Sequence, residues 1–414
     1  MKQGKFNSLT AMLIAAATVF STVGCTRVSS STDDLTVDMT RSANVECVDG
    51  DESFDDIYTD FSAELFRRSF KNENTLISPL SVMLALGISA NGAAGETAEE
   101  YTRLFGGADA DDMNKYLYSY VESICGEEEA KLASANSLWL NGEMNYEVKS
   151  DFLQNVIDYY SADVFKSSFG ESTVNEMNSW CSEHTDGMVE NAVSGLPEDA
   201  AALIVNAVCF SAPWVDNYSD SQISDGIFTS QSGDERAVKM LSSLEGGYIE
   251  SPLATGFKKY YLGNRYAFVA LLPNEGVSIS TFADSLNGDE IRSLLDSESE
   301  VHSVRVSMPE FAYGSKVDMT EALAEMGLEK SFSPSADYSG ITSDMPIHIG
   351  GIEHATRIEL TRNGTSCAAV TVEQLMGASM PDKSVVLDRP FVYMIVDCEN
   401  SLPVMIGAVT DITE

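Results

Sequence analysis

Between Arg362 and Pro390 the chain reads R-N-G-T-S-C-A-A-V-T-V-E-Q-L-M-G-A-S-M-P-D-K-S-V-V-L-D-R-P. Its first third, Gly364 to Val372, is small and β-capable. Its middle, Gln374 to Lys383, carries Gly377, Ser379, Pro381 and Asp382 and has the composition of an exposed loop. Strand composition returns at Val385. A strand that gives way to a long loop near the end of a large domain limits the folds open to this chain. Loops of that length inside compact domains usually carry function.

The rest of the chain supplies the body around that stretch. Asp55 to Phe70 places Ile57, Phe61, Leu65, Phe66 and Phe70 on one helical face. Ser78 is a good N-cap and Pro79 suits the first helical position, so a helix runs from there to about Ala90. It is almost wholly apolar and must be buried. Further helices are predicted over Glu96–Phe105, Met113–Cys125, Lys149–Tyr160, Val174–His184, Ser278–Leu295 and Lys316–Met326, the last ended by Gly327. Strands are predicted over Leu132–Leu140, Ala162–Phe169, Leu203–Phe210, Val304–Phe311, His354–Leu360, Phe391–Asp397 and Pro403–Val409. Helices crowd the first half and strands the second, with no internal repeat or linker. That distribution predicts one large α+β domain with several sheets.

Charge and targeting signals narrow the function. Lys and Arg number 25 against 64 Asp and Glu, a formal net charge of −39. Nucleic acid is an improbable partner for such a surface. The acidity reads as solubility, with steering of a basic partner as the alternative. Lys2 and Lys5 precede an apolar run, Leu9 to Val23, too short and wrongly flanked for a membrane span. The run ends V-G-C at Cys25, which resembles the lipobox of bacterial lipoproteins; an ordinary secretory signal is the alternative. The expected organisation is a signal peptide over 1–24, a Ser/Thr/Asp-rich polar tether over 25–53 and a single domain over 54–414. Such a protein is expected outside the cytoplasm, lipid-anchored to a bacterial membrane or cell surface, or secreted. Cys47, Cys125, Cys181, Cys209, Cys367 and Cys398 show no C-x-x-C pair and read mostly as small core hydrophobes, with pairing left open.

Catalytic signatures are missing from the sequence. It has no G-x-S-x-G elbow, no phosphate-binding G-x-x-x-x-G-K and no H-E-x-x-H. His184, His302, His348 and His354 do not fall at metal-ligand spacing. No enzyme activity, metal or cofactor is expected. What stands out is polar residues in apolar settings: Ser78 and Ser81 opening a buried helix, Asn206 interrupting an apolar strand, His354 starting one. Buried polar groups need partners, so together they suggest a polar cluster in the core.

Ten short motifs then fall in one order. They are N-x-x-x-S-P-x-S at 74–81, N-G-A-A-G-E-T at 91–97, L-A-S-A-N-S-L-W at 132–139, M-N-S-W at 177–180, V-N-A-V-C-F-S-A-P-W at 205–214, M-P-E-F at 308–311, A-D-Y-S-G-I at 336–341, H-x-x-x-x-E at 354–359, G-T-S-C-A-A at 364–369 and D-R-P-F at 388–391. In order and spacing the chain resembles the serpins, serine protease inhibitors of the suicide-substrate type. The resemblance implies three β-sheets, eight or nine helices and an exposed reactive-centre loop, here about 364–388. It implies that Ser78, Ser81, Asn206 and His354 form the shutter under the central sheet and that Trp214 marks the breach. Gly364, Thr365, Ser366, Cys367, Ala368 and Ala369 would form the hinge.

It also implies a mechanism. The protease attacks the loop, forms an acyl-enzyme, and is carried off covalently as the cut loop inserts as a strand, a form of strand addition for which serpins are an example. The loop chemistry agrees. Strand side chains alternate, and with Thr365 inward the inward set is Thr365, Cys367, Ala369 and Thr371, all small or modest. Two departures stand out. Arg362 and Asn363 occupy positions that are usually acidic in inhibitory members, and Glu373 falls in the inward register, where a charge is costly. Family spacing from Gly364 puts the scissile bond at Ala378–Ser379. Counting back from Pro390 gives Ser379–Met380, and Met376–Gly377 is a further option. No Arg stands near any of these, which disfavours trypsin-like targets and suits elastase-like or subtilisin-like serine proteases; papain-like cysteine proteases are an alternative. A monomer is expected. The competing reading is a non-inhibitory surface lipoprotein or binding protein on the same fold.

Overall fold

In the computed structural model the described residues are 32–48, 52–124, 130–197, 200–297, 303–366 and 383–413, and Thr32–Glu414 is one compact unit. The signal segment, Cys25, Cys125, His302, the reactive-bond options from Met376 to Met380, and the hinge residues Cys367, Ala368 and Ala369 lie outside the described residues.

The first half reads β1 (Asp33–Asp34), α1 (Glu52–Ser69), β2 (Thr75–Ile77), α2 (Pro79–Ala90), α3 (Gly95–Leu104), α4 (Ala110–Ile124), β3 (Lys131–Asn141), α5 (Ser150–Asn155), β4 (Asp163–Ser167), α6 (Glu171–His184) and β5 (Ala202–Pro213). Strands then dominate: β6 (Ile223–Thr229), β7 (Glu235–Glu245), β8 (Gly247–Glu250), β9 (Ala254–Tyr260), β10 (Tyr266–Pro273), α7 (Ile279–Ser285), α8 (Gly288–Asp296), β11 (Val304–Pro309), β12 (Phe311–Asp318), α9 (Thr320–Leu323), β13 (Ile349–Thr361), β14 (Gly364–Thr365), β15 (Lys383–Val386), β16 (Phe391–Asp397) and β17 (Leu402–Val409). The strands form three sheets, A (β1-β4-β3-β5-β14-β13-β12), B (β2-β17-β16-β10-β9-β8) and C (β15-β11-β7-β6).

Helix α2 begins as its sequence dictates. Ser78 is extended and accepts from the Ser81 N–H, Pro79 follows, and all twelve helical residues are buried. It lies beneath sheet A, in contact with β3 and β5. The opposite face of sheet A is covered by α6, whose Met177 and Trp180 join Trp139, Val205, Ala207 and Ala355 in a separate cluster. Around β5 sheet A is thus buried on both faces, and β5 reads as a continuous apolar run for that reason.

Three departures from expectation have a local cause. The helix predicted over Ser278–Leu295 is two, because Leu286 is extended and Asn287 caps a new helix by accepting from the Glu290 N–H. The helix predicted from Lys316 starts only at Thr320: residues 316–318 continue β12, and Asp318 Oδ1 accepts from the Thr320 N–H at 2.9 Å. The residues expected as a tether are not free over 32–48. Asp33 and Asp34 pair with Lys166 and Phe165 of β4, so β1 forms the edge of sheet A. Ser42 donates through its N–H and its hydroxyl to Asp158, both at 2.7 Å, and the Val48 N–H donates to Ser119 Oγ at 2.8 Å. Ser, Thr and Asp look like tether by composition, but each can hydrogen-bond to a partner that composition does not reveal.

Candidate functional site: hinge, breach and shutter

The stretch after β13 turns back at Arg362–Asn363 and re-enters sheet A as β14. Thr361 and Leu360 of β13 face Gly364 and Thr365, and Pro213 and Ala212 of β5 face the same pair from the other side. Gly364 and Thr365 therefore already stand as a wedge between β5 and β13, which pair directly lower down, from Arg357↔Cys209 to Ile349↔Ala202. Gly364 is required here: its φ is +146°, and a Cβ would lie 2.2 Å from the Ala212 carbonyl oxygen. Thr365 is inward as expected, 1% exposed, its Oγ1 2.6 Å from the Tyr261 hydroxyl.

Ser366 follows β14. This residue has φ +50°, a left-handed conformation that is uncommon for serine. Its N–H donates to the Glu359 carbonyl at 2.6 Å, its carbonyl accepts from Ser211 Oγ at 2.9 Å, and its own hydroxyl is buried with no hydrogen-bond partner among the described residues. Beside it, over the outer face of β12 and β13, lies a cavity of about 900 Å³ lined by residues 186–191, Lys316, Ala355, Arg357, Glu359 and Ser366.

Arg362 is accommodated by acidic partners. Its guanidinium lies 2.6 Å from Asp220, and its N–H donates to Glu310 at 2.9 Å. Trp214 is at the adjoining strand end. Its N–H donates to the Asn363 carbonyl at 3.1 Å, its Nε1 donates to the Thr361 carbonyl at 3.0 Å, and its ring stacks on Tyr261 at 4.4 Å. It thus ties the end of β5 to the end of β13.

The structure brings Ser78, Ser81, Asn206 and His354 together under the point where β5 and β13 pair. Asn206 and His354 are register partners. The Ser78 N–H donates to His354 Nε2 at 3.0 Å, so that nitrogen carries no proton and Nδ1 donates to Asn206 Oδ1. Burial depresses the His354 pKa from 6.5 to about 3, so the ring is neutral. Asn206 Nδ2 donates to the Ser81 carbonyl at 3.0 Å, to the Ser81 hydroxyl, and to Asn136 Oδ1 at 2.5 Å. Ser81 Oγ also meets Ser134 Oγ at 2.8 Å, and Ser78 Oγ donates to the Val404 carbonyl at 2.8 Å. Ser134 and Asn136 of β3 were not singled out from sequence, although both are polar residues inside the L-A-S-A-N-S-L-W strand. On the opposite face Glu353 is half-buried. Burial and the facing Asp318, opposed by Lys316, push its carboxyl up to about 7.

This cluster can hold two strands together by side-chain hydrogen bonds that a third strand could replace. The profile of the family described as "Serpin (serine protease inhibitor)" matches residues 56–412. The chain belongs to the serpin family. Among curated proteins, a serpin-like protein of Thermococcus kodakarensis is 28% identical, covering 84% of this chain and 83% of its own. A bovine (Bos taurus) protein named leukocyte elastase inhibitor is 27% identical, covering 81% and 93%. Among solved structures, the native state of the thermophilic serpin tengpin matches at TM-score 0.87 with 37% identity, over 92% of this chain and 100% of that one. The three sheets and nine helices described here are those of the serpin fold.

Proposed function

We propose that this serpin inhibits serine endopeptidases by trapping them as covalent acyl complexes when its cut loop enters sheet A. One observation carries the reading: β14 already occupies the top of the gap between β5 and β13, in antiparallel register with both. Continuing those registers sets Cys367 between Phe210 and Ile358, Ala369 between Val208 and Thr356, and Thr371 between Asn206 and His354. These neighbours are buried, and small residues suit such positions. The threonine would arrive in the shutter with a hydroxyl to replace the bond between Asn206 and His354. The outward set, beginning with Ala368 and Val370, would pass beneath the cavity lined by Arg357 and Ala355. The driving force is a new ladder and new apolar burial, released from a kinetically held state.

For the target, the segment from Gln374 to Pro381 holds no Arg or Lys. A small residue at Ala378, or at Ser379 in the shifted count, supports elastase-like or subtilisin-like proteases with a narrow specificity pocket. The lipobox-like V-G-C supports a lipid anchor at Cys25 and an extracytoplasmic location. Incubation with pancreatic elastase and subtilisin tests the main reading. A band that survives boiling in SDS, with the cut mapped by mass spectrometry, is expected; clean cleavage without a complex would sink it. Glu373 supports the competing non-inhibitory reading, because the same register sends it between Ile204 and Ile352, both buried. Heating separates the two: loop cleavage raises the melting temperature greatly only if the loop inserts. Metabolic labelling with palmitate, lost in Cys25→Ser, tests the anchor.

A further inference from the structure

A buried cation lies directly beneath the breach. Lys259 alternates into the core of β9 with Phe257 and is 2% exposed. Its Nζ lies 2.8 Å from Glu245 Oε1, 4.7 Å from the centre of the Tyr218 ring and 5.4 Å from that of Trp214. Glu245 ends β7 and accepts from Ser243 Oγ at 2.5 Å, and Ser243 Oγ is 3.2 Å from the Tyr218 hydroxyl. Burial alone would lower the Lys259 pKa, but Tyr218, Glu245 and Asp216 together hold it above the usual lysine value. A buried lysine is costly unless each of its neighbours compensates it, and here two of the compensating groups are aromatic faces.

Those two aromatic residues also hold the turn that leads into the hinge. Trp214 donates to the carbonyls of Asn363 and Thr361, and the Tyr218 N–H donates to the Arg362 carbonyl at 3.0 Å. The bond from Trp214 Nε1 to Thr361 spans the ends of β5 and β13, so strands that part must break or redirect it. Turning the indole would strip the almost fully buried Lys259 of one of its two aromatic faces.

We infer that Lys259, held by Glu245, is a positioning residue for sheet opening, and that it restrains Trp214 and Tyr218 so that β5 and β13 stay closed until the loop is cut. The inference rests on the inserting-loop reading above. It predicts that the pair sets the rate at which sheet A accepts a strand, separately from its part in stability.

The test uses a synthetic peptide with the sequence of Thr365–Ala378, whose uptake by intact protein is followed by the rise in melting temperature. Lys259→Met leaves the half-buried Glu245 without its cation and is expected to take up peptide at least fivefold faster, at some cost in stability. Glu245→Gln with Lys259→Met removes both charges, so its melting temperature should stay close to wild type while uptake remains fast. Unchanged uptake in that double variant overturns the inference. So does equal acceleration in Ile291→Ala, a core variant in the distant α8, at the same melting temperature as Lys259→Met. If wild type takes up no peptide and forms no SDS-stable complex, the inserting-loop reading itself fails and the inference falls with it.

Discussion

Glu373 offers the sharpest test of the insertion register. Extending the pairing of β14 places it inward between Ile204 and Ile352, each 0% exposed. A carboxylate there has no water and no cation, so full insertion requires it to take up a proton. At pH 7.5, protonating a group whose ordinary pKa is about 4.3 costs about 4 kcal/mol, at about 1.4 kcal/mol per unit. A valine at the same place instead gains about 1.5–3 kcal/mol from burial. The inserted form raises the pKa of Glu373 and so binds the proton more tightly than the free loop. Its stability is therefore present at low pH and lost as the pH rises above about 4.3. The assay is a guanidinium titration of loop-cleaved protein between pH 5 and 7.5, with intact protein as the reference. Cleaved wild type should lose stability at up to about 1.4 kcal/mol per pH unit relative to cleaved Glu373→Val, and the variant should be the more stable by at least about 4 kcal/mol at pH 7.5. Identical pH slopes and midpoints would show that Glu373 never enters the sheet and that the register argument is wrong beyond Thr371. Glu373→Val should also lower the stoichiometry of inhibition.

Thr365→Arg would force a long cation against Tyr261 between Ala212 and Leu360, and should convert inhibitor to substrate; unaltered complex formation on a gel refutes the hinge assignment. Glu353 and His354 should titrate in opposition. With a folded pKa of about 3, His354 subtracts stability as the pH falls below 6.5, whereas Glu353, at about 7, loses the stability it contributes as the pH rises from 4.5. His354→Gln should therefore make urea midpoints rise on acidification from pH 7 to 5, and Glu353→Gln should make them fall, the glutamate contribution being reduced by its partial exposure. Arg362→Glu removes an exposed pair with Asp220 and sets like charges beside Glu310. Its stability cost should stay under about 1 kcal/mol, and a larger loss by thermal melting would mean that the reversed charge is a structural necessity.

Much of the site was legible along the chain. Pro79 after Ser78, Gly364 before a run of small residues, and Asn206 inside apolar β5 each reflect a local requirement: a fixed φ, a close backbone approach, or a polar group that must find a partner. The helix break at Leu286 and the late start at Thr320 were not legible, because neighbouring β12 pairing and the Asn287 cap override local preference by small margins. Ser134 and Asn136 were passed over because alternation alone does not say which of several polar strand residues face the shutter. Lys259 leaves a fainter signal, a lysine in the inward phase of G-F-K-K-Y-Y, and its meaning depends on rings from residues 214 and 218.

By itself the sequence determined the α+β class, the buried helix α2, the small inward phase of the hinge, and the acid-rich composition, since each follows from residue type and local periodicity. Only the tertiary structure decided that Asp33 and Asp34 pair at the edge of sheet A, that Arg362 meets Asp220 and Glu310, and that Thr365 already stands between β5 and β13. Those outcomes depend on groups far apart in the chain. Hydrogen bonds and charges are short-ranged in space, and the pairings they select cannot be read from spacing along the chain.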